Sequence, residues 1–189
     1  MGVVTSKLFV ISGPSGVGKG TLVARARERI PGLGLTVSAT TRPMRPGEVD
    51  GVDYFFLSDE EFSRRVDAGE FVEWAQVFDH RYGTLASEVD RNLDEGRSVI
   101  LEIDVQGALQ VRERHPGAVL IFIMPPSREE LRERLIGRGT ESPESVELRL
   151  ATAEREIALA DRYDEVLVND DLDAATDQLV QLLETYERN

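Results

Sequence analysis

The stretch from Leu8 to Thr21 reads LFVISGPSGVGKGT, in which an apolar run is followed by a glycine-rich turn. The apolar run predicts a buried strand, and the residues after the turn predict a helix that begins at Lys19. This order directs several backbone N–H groups and a helix N-terminus at one point, which favours binding of an anionic phosphate. The spacing of Gly13, four residues and Gly18-Lys19 is that of the phosphate-binding loop, whose lysine contacts the β- and γ-phosphates of a nucleoside triphosphate.

The surroundings of Lys19 refine this interpretation. Lys19 is one of two lysines in a chain with 22 basic residues, so composition alone does not explain a lysine at the motif position. The usual Ser or Thr after the lysine is replaced by Gly20, and the hydroxyl comes one residue later at Thr21, which leaves open whether that side chain binds magnesium. A dinucleotide-binding loop is excluded, because its third glycine, counted from Gly16 and Gly18, would be Thr21. The alternative without a ligand is a glycine-rich turn between a strand and a helix.

Length and composition limit the classes of protein to which the chain can belong. Its 189 residues predict one compact domain with a buried core. No apolar run reaches the roughly 18 residues of a membrane span, and the N-terminus lacks a secretory signal pattern. The absence of cysteine excludes disulfides and thiolate metal sites, and the net charge of −13 argues against a nucleic-acid-binding surface. We therefore expect a cytoplasmic protein with no membrane or nucleic-acid partner.

Apolar runs alternate with helical patterns along most of the chain, which predicts an α/β fold with a parallel core sheet flanked by helices. The predicted core strands are Leu8–Ser12, Leu35–Ala39, Val99–Ile103, Val119–Met124 and Val166–Val168. The predicted helices are Lys19–Ile30, Leu85–Glu95, Ala108–Arg114, Arg128–Ile136, Pro143–Arg162 and Leu172–Tyr186, with a short helix after Ser58 that ends by Ala68.

Two regions interrupt this alternation. Residues 40–84 contain short strands, a short helix and many polar residues, which predicts an inserted substrate-binding subdomain. Residues 137–142, Gly-Arg-Gly-Thr-Glu-Ser, are flanked by glycine and predict a mobile lid. Together with the phosphate-binding loop, these regions predict a single domain with a three-layer P-loop fold that consists of a core, an insertion and a lid.

The insertion begins with two arginines that are suited to one phosphate. Arg42 and Arg45 are three residues apart, and prolines stiffen the loop around them. Planar guanidinium groups bind phosphate through two hydrogen bonds, and Tyr54 offers a hydroxyl donor nearby. The alternative is that both arginines are solvated charges of a surface loop.

Further along the insertion, a carboxylate and a hydroxyl match the edge of guanine. Glu73 precedes Trp74, and Thr84 follows the sequence Tyr82-Gly83. Guanine offers N1–H and N2–H₂ donors to a carboxylate, while Thr84 or Ser38 can donate to O6. Adenine would leave the buried charge unpaired, and such a mismatch discriminates strongly. The alternative is that Glu73 is a surface residue of a strand.

Taken together, these segments resemble the guanylate kinase family, in the family's order and over nearly the whole chain. The segments are the phosphate-binding loop, VSATTR (37–42), Gly47-Glu48, GVDY (51–54), EWA (73–75), YGT (82–84), EIDVQG (102–107), GRGT (137–140) and VNDD (168–171). The resemblance implies transfer of the γ-phosphoryl group of ATP to GMP or dGMP with Mg²⁺, which yields ADP and GDP or dGDP. It also implies a core, a GMP-binding subdomain and a lid that closes over ATP.

The resemblance implies a role for each matching residue. The ATP-binding residues are Gly13, Pro14, Ser15, Gly16, Val17, Gly18, Lys19, Gly20, Thr21 and, near the adenine, Asn169. The residues that stabilise the transferred group are Lys19, Arg134, Arg138 and Arg149. The GMP-binding residues are Arg42, Arg45, Tyr54 and Tyr82 for the phosphate, Ser38, Glu73 and Thr84 for the base, and Asp104. Glu102 and Asp104 are candidates to bind magnesium through water, and the alternative is that each caps the next helix.

One position departs from the family pattern, in which an aromatic residue commonly precedes the tyrosine at position 82. The residue there is Arg81, so a ligand contact by residue 81 is in question. Two other functions stay open. One is a scaffold domain that has lost catalysis, against which the intact Gly18-Lys19 argues. The other is a kinase for a different small molecule, against which Glu73 and the paired arginines argue, and the oligomeric state is left open.

Overall fold

The computed structural model describes residues 5–77, 79–137 and 143–188. Within them the strands are β1 (Leu8–Ser12), β2 (Gly34–Leu35), β3 (Ser38–Thr40), β4 (Phe55–Phe56), β5 (Phe71–Val77), β6 (His80–Leu85), β7 (Val99–Glu102), β8 (Val119–Met124) and β9 (Glu165–Val168). The helices are α1 (Lys19–Arg29), α2 (Asp59–Asp67), α3 (Ala86–Asp94), α4 (Val105–Arg114), α5 (Arg128–Ile136), α6 (Pro143–Ile157) and α7 (Leu172–Glu187). None of these helices is both long and apolar enough to cross a lipid bilayer.

Five parallel strands form the central sheet, in the order β2-β7-β1-β8-β9. β1 lies in the middle, and all of its residues are buried. Alternate residues of β1 enter apolar clusters on opposite faces of the sheet, because successive side chains of a strand point in opposite directions. Phe9 and Ile11 pack with α1 and α7, whereas Leu8 and Val10 pack with α4. The predicted α/β fold with a parallel sheet flanked by helices is confirmed.

A second sheet lies largely within the predicted insertion and has an apolar cluster of its own. Its strand order is β4-β3-β6-β5, with β3 parallel to β4 and antiparallel to β6. The cluster contains Ala39, Phe62, Phe71 and Leu85, and the rings of Phe62 and Phe71 stack with their centroids 4.5 Å apart. This local core, shared with α2, stabilises strands that are too short to be stable alone.

The predicted strand Leu35–Ala39 is wrong as a single element. Leu35 pairs with β7 in the central sheet, whereas β3 pairs with β6 in the second sheet. The chain crosses from one sheet to the other at Thr36 and Val37. Both are β-branched residues that favour extended backbone, so the sequence pattern does not show the change of sheet.

Two helix boundaries also differ from the prediction. α4 begins earlier, at Val105, because the Asp104 carboxylate accepts a hydrogen bond from the Gly107 N–H at 2.7 Å and caps the helix. The predicted helix Pro143–Arg162 ends at Ile157, and a separate turn of 3₁₀ helix follows at residues 160–162. Residues 138–142 of the predicted lid lie outside the described residues.

The phosphate-binding loop connects β1 to α1 and packs closely on its neighbours at two glycines. Gly13 has a φ of +144°, and a Cβ atom there would lie 2.3 Å from the carbonyl oxygen of Ile123 on β8. Gly18 has a φ of +96°, and a Cβ atom there would lie 2.7 Å from the side-chain nitrogen of Asn169. Both positions therefore require glycine on conformational and steric grounds.

Replacing Gly13 with alanine is expected to lower the free energy of unfolding by about 2 kcal/mol or more, because the backbone conformation is strained for alanine and the methyl group overlaps Ile123. Gly117→Ala is the matched control, since a Cβ atom at Gly117 meets no atom within 4 Å. Urea denaturation of both variants and the parent measures the difference. Equal stability of the two variants would contradict a loop that is held tightly against β8.

Candidate functional site

A cavity of about 350 Å³ lies between the carboxyl edge of the central sheet and the second sheet, and we call it the main pocket. Its wall on the core side includes Gly13, Ser15, Lys19, Glu102 and Asp104, and its wall on the other side includes Ser38, Tyr54, Glu73 and Tyr82. The structure thus brings the lysine of the phosphate-binding loop and the predicted base-reading carboxylate to one cavity.

Two cations lie at the end of the main pocket that the phosphate-binding loop forms. Lys19, the first residue of α1, donates through Nζ to the carbonyl oxygens of Gly13 at 2.6 Å and Pro14 at 3.1 Å. These contacts hold the ammonium group against the loop, beside the N-terminus of α1, where the helix dipole also favours an anion. Arg149 on α6 donates to the Ser15 hydroxyl at 3.4 Å, which places a second cation at the same loop.

The three side chains that are predicted to recognise a base lie side by side across the second sheet. Ser38 on β3 pairs with Thr84 on β6, and Thr84 pairs in turn with Glu73 on β5. Directly paired residues project from the same face of a sheet, so these side chains form one row. The Thr84 hydroxyl donates to the Glu73 carboxylate at 2.8 Å. The row therefore combines an oriented carboxylate with the buried hydroxyl of Thr84 and the half-buried hydroxyl of Ser38.

Glu73 is a buried acid, with 4% of its surface exposed. Burial raises its pKa to about 7, the nearby charge of Asp104 acts in the same direction, and the hydrogen bond from Thr84 opposes both. Helix α4 packs directly on the carboxylate, because a Cβ atom at Gly107 would lie 2.6 Å from the Oε2 atom of Glu73. A ligand that donates N–H groups to this desolvated carboxylate would stabilise its charged form.

The predicted phosphate-binding arginine at position 42 is oriented by a carboxylate. Its guanidinium group donates to both oxygens of Glu48, at 2.7 and 3.0 Å, and lies 5.3 Å from the centre of the Tyr54 ring. Glu48 also accepts a hydrogen bond of 2.7 Å from the backbone N–H of Arg45. These hydrogen bonds, the one from Arg42 foremost, lower the pKa of Glu48. The rings of Tyr54 and Tyr82 meet edge to face at 6.1 Å, so three of the predicted phosphate ligands are neighbours, and Arg45 lies exposed beside them.

The sequence assigns no role to two acidic residues of the site, although Gly47-Glu48 is among the segments that resemble the family. Glu48 contacts Arg42 because Gly47, with a φ of +91°, turns the loop back on itself. Glu156 on α6 lines the main pocket, where partial burial raises its pKa to about 6. It is one of many acidic residues on helices, and its place in the pocket follows only from the way α6 packs.

A second pocket of about 220 Å³ lies on the other side of the phosphate-binding loop. It is lined by Gly16, Gly18, Thr21, Arg134, Asn169, Asp170 and Leu172. The Asn169 amide donates to the carbonyl oxygen of Val17 at 2.8 Å, and the Arg134 guanidinium donates to the carbonyl oxygen of Asn169 at 3.0 Å. Thr21 and the predicted adenine neighbour Asn169 are thus together, on the side of the loop away from Glu73.

The structure separates the arginines that are predicted to act on the transferred phosphoryl group. Arg149 lies at Ser15 on the main-pocket side, whereas Arg134 lies in the second pocket and forms an ion pair with Glu130 at 2.9 Å. Arg138 lies outside the described residues. A catalytic role for each of the three remains a prediction.

Arg81 contacts the protein rather than the pocket. Its guanidinium group donates to the Ser63 hydroxyl and the Asp59 carboxylate, each at 2.9 Å, and lies 4.7 Å from the centre of the Phe62 ring. These contacts join β6 to α2 beside the apolar cluster of the second sheet. Arg81, at the position where the family commonly has an aromatic residue, therefore has a structural role within the described residues.

Magnesium fits the carboxylates at the end of β7. Glu102 and Asp104 both line the main pocket with Lys19, and a Cβ atom at Gly20 would lie 3.5 Å from a carboxylate oxygen of Glu102. Glu102 thus lies beside the motif position that carries a hydroxyl in other phosphate-binding loops. The described residues contain no group of three or more His, Cys, Asp or Glu side chains that could hold a metal ion. One or two carboxylates with water and substrate phosphates are nevertheless the usual ligands of Mg²⁺.

Comparison with known proteins leads to the family that these motifs indicate. A family model described as guanylate kinase matches residues 5–186. The chain belongs to the guanylate kinase family. It is 55% identical to the guanylate kinase of Gloeobacter violaceus, over 94% of this chain and 87% of that protein. It is 51% identical to the guanylate kinase of Rubrobacter xylanophilus, over 94% of this chain and 93% of that protein. The resemblance predicted from the sequence is thereby confirmed.

Solved structures agree with this family membership. The crystal structure of guanylate kinase from Anaplasma phagocytophilum matches with a TM-score of 0.80 and 36% identity, and it covers 100% of this chain and 90% of that one. Shikimate kinase from Bacteroides thetaiotaomicron matches with a TM-score of 0.52 and 16% identity, over 94% of this chain and 98% of that one. The second likeness shows a shared fold only.

Replacing Glu73 with glutamine is expected to change how stability depends on pH. Because burial raises the folded-state pKa from 4.5 to about 7, this group stabilises the fold below pH 4.5, and its contribution is lost as the pH rises through 7. Between pH 4.5 and 8 the parent should therefore lose about 2–3 kcal/mol relative to Glu73→Gln. Urea denaturation at both pH values measures this, with Glu60→Gln, an exposed residue of α2, as the control. Parallel pH profiles for the parent and Glu73→Gln would contradict the buried carboxylate.

Proposed function

We propose that this chain transfers the γ-phosphoryl group of ATP to GMP or dGMP, and so yields ADP and GDP or dGDP as part of purine nucleotide metabolism in the cytoplasm. The observation that carries the proposal is the main pocket, in which Lys19 and the buried Glu73 face one cavity. The named relatives support it, since they are guanylate kinases of similar length that match along nearly the whole chain.

The donor nucleotide is proposed to lie across the phosphate-binding loop. Gly13, Ser15 and Lys19 line the main pocket, whereas Gly16, Gly18 and Thr21 line the second pocket. The adenosine would occupy the second pocket near Asn169, and the phosphates would pass over the loop N–H groups towards Lys19. This path would bring the γ-phosphate, and not the adenine, to the acceptor.

The acceptor is proposed to lie between the two walls of the main pocket. The Glu73 carboxylate would accept hydrogen bonds from the N1–H and N2–H₂ groups of guanine, and Ser38 would donate to O6. The Thr84 hydroxyl donates its proton to Glu73 and would orient that carboxylate. The GMP phosphate would bind Arg42, Arg45, Tyr54 and Tyr82, with Arg42 held in place by Glu48. AMP would present an acceptor to the same carboxylate and leave it desolvated and unpaired.

The proposed catalysis is positioning together with stabilisation of charge, because phosphoryl transfer needs little covalent participation by the protein. Lys19 would contact the transferred group, and Arg134, Arg138 and Arg149 would balance the charge that develops on it. Mg²⁺, when bound, neutralises charge on the nucleotide phosphates. Glu102 and Asp104 would hold it through water, and Asp104 would also lie against GMP.

The reaction is tested by ADP release with ATP and Mg²⁺ across a panel of monophosphates. GMP and dGMP should be strongly preferred, and AMP, CMP and UMP should be poor acceptors. Lys19→Met should lower kcat for GMP about 100-fold or more, because the lost interaction forms in the transition state. Calorimetry should show near-normal GMP binding to this variant. Turnover of AMP that equals or exceeds that of GMP would overturn the guanine assignment, and no turnover of any monophosphate would favour a binding domain without catalysis.

Two variants should distinguish recognition of the base from binding of the phosphate. Glu73→Gln turns one acceptor into a donor opposite a guanine N–H, which should cost about 2–4 kcal/mol, or roughly 30- to 1,000-fold in kcat/KM for GMP. It should also lower the GMP/AMP ratio of kcat/KM, since the repulsive carboxylate is gone. Arg42→Ala should weaken all monophosphates alike and leave that ratio unchanged. An equal change of the ratio in both variants would contradict this division of roles.

A further inference from the structure

The strand that carries Glu73 has one edge covered by side chains of α4 instead of by another strand. β5 is the edge strand of the second sheet. The Gln110 amide donates to the carbonyl oxygen of Trp74 at 2.8 Å and accepts from the Trp74 N–H at 3.2 Å. These two bonds satisfy the backbone groups that would otherwise pair with a neighbouring strand. Gln110 thus holds the residue next to Glu73 from the outer side.

The same part of β5 contains a β-bulge. The pairing with β6 shifts between Phe71 and Glu73, so Val72 is an extra residue in the ladder. Val72 packs into the central core, whereas Phe71 packs into the cluster of the second sheet. Arg114 of α4 donates to the carbonyl oxygens of both, at 3.1 and 3.2 Å. A bulge redirects the side chains that follow it, and here the next side chain is Glu73.

Three residues of α4 make these contacts from one face of the helix. Gly107, Gln110 and Arg114 are spaced by three and four residues, which places them in line. Gly107 packs on the Glu73 carboxylate, Gln110 binds the Trp74 backbone and Arg114 binds the bulge. One rigid element of the core therefore determines the position of the carboxylate in the insertion.

We propose that Gln110 is a positioning residue for base recognition, which acts by fixing the Trp74 backbone and with it the direction of the Glu73 carboxylate. The inference rests on the proposed function and deepens it, because it assigns part of the preference for guanine to a residue of the core that does not line the main pocket. Without the two amide bonds, the bulged segment of β5 can rotate about its own axis. The carboxylate then leaves the row that it forms with Thr84 and Ser38.

The test compares Gln110→Leu with the parent protein. Leucine has a similar size and removes both hydrogen bonds to Trp74. The GMP/AMP ratio of kcat/KM should fall roughly tenfold or more, through a higher KM for GMP, while the KM for ATP stays unchanged. Gln181→Leu, the same substitution at an exposed position of α7, should change none of these values. A Gln110→Leu enzyme that keeps the full ratio would overturn the inference.

A double-mutant cycle distinguishes positioning from general stabilisation. If Gln110 acts through Glu73, the variant with both Glu73→Gln and Gln110→Leu should show the same GMP/AMP ratio as Glu73→Gln alone. If the fall of the GMP/AMP ratio in the double variant instead equals the product of the falls in the two single variants, the inference is overturned. Should Gln110→Leu fail to fold, Gln110→Glu carries the same cycle. It keeps the acceptor for the Trp74 N–H and places an acceptor opposite the Trp74 carbonyl.

The outcomes for the inference and for the proposed function are separate. A parent protein that turns over AMP as well as GMP overturns the proposed function, whatever the variants do. A parent that prefers GMP, combined with Gln110 variants that keep this preference, overturns only the role of Gln110.

Discussion

A carboxylate loses its hydration when it is buried, and the buried side chain of Glu73 is the constraint on which the cleft depends. Room for this side chain exists because position 107 has no side chain, and the hydroxyl of Thr84 donates a hydrogen bond to it. Without a ligand, the protein solvates the charged form of Glu73 poorly, and the pKa of this side chain is raised for that reason. A ligand with two N–H donors would solvate this carboxylate, so in the proposed function recognition of the base and solvation of the acid are one event.

Charges of both signs lie along the main pocket. Lys19 and Arg149 lie at the phosphate-binding loop with the Glu102 carboxylate nearby, whereas Glu73 and Asp104 lie close to each other at the other end. A molecule with an anionic phosphate at one end and N–H donors at the other would match these charges with its donors facing Glu73. The chain as a whole is strongly acidic, so the local position of these cations, and not the net charge, favours an anion at the loop.

Features that depend on neighbours in the chain could be predicted from the sequence, and features that depend on packing could not. The loop between β1 and α1 follows from a strand, glycines and a helix in direct succession. No residue pattern between β2 and β3 marks the point at which the chain changes sheet, so the sequence predicts one strand there. The contacts of Glu48 and Gln110 join residues that only the folded chain brings together, across six residues in one case and 36 in the other.

The phosphate-binding loop forms a partition, with different glycines facing the pockets on its two sides. In the proposed placement, with adenosine in the second pocket and GMP in the main pocket, each nucleoside would leave the residues that line the opposite pocket uncovered. Neither nucleoside would then block the entry of the other. The order in which the two nucleotides associate would depend on their concentrations and affinities, which is the condition for a random-order kinetic scheme.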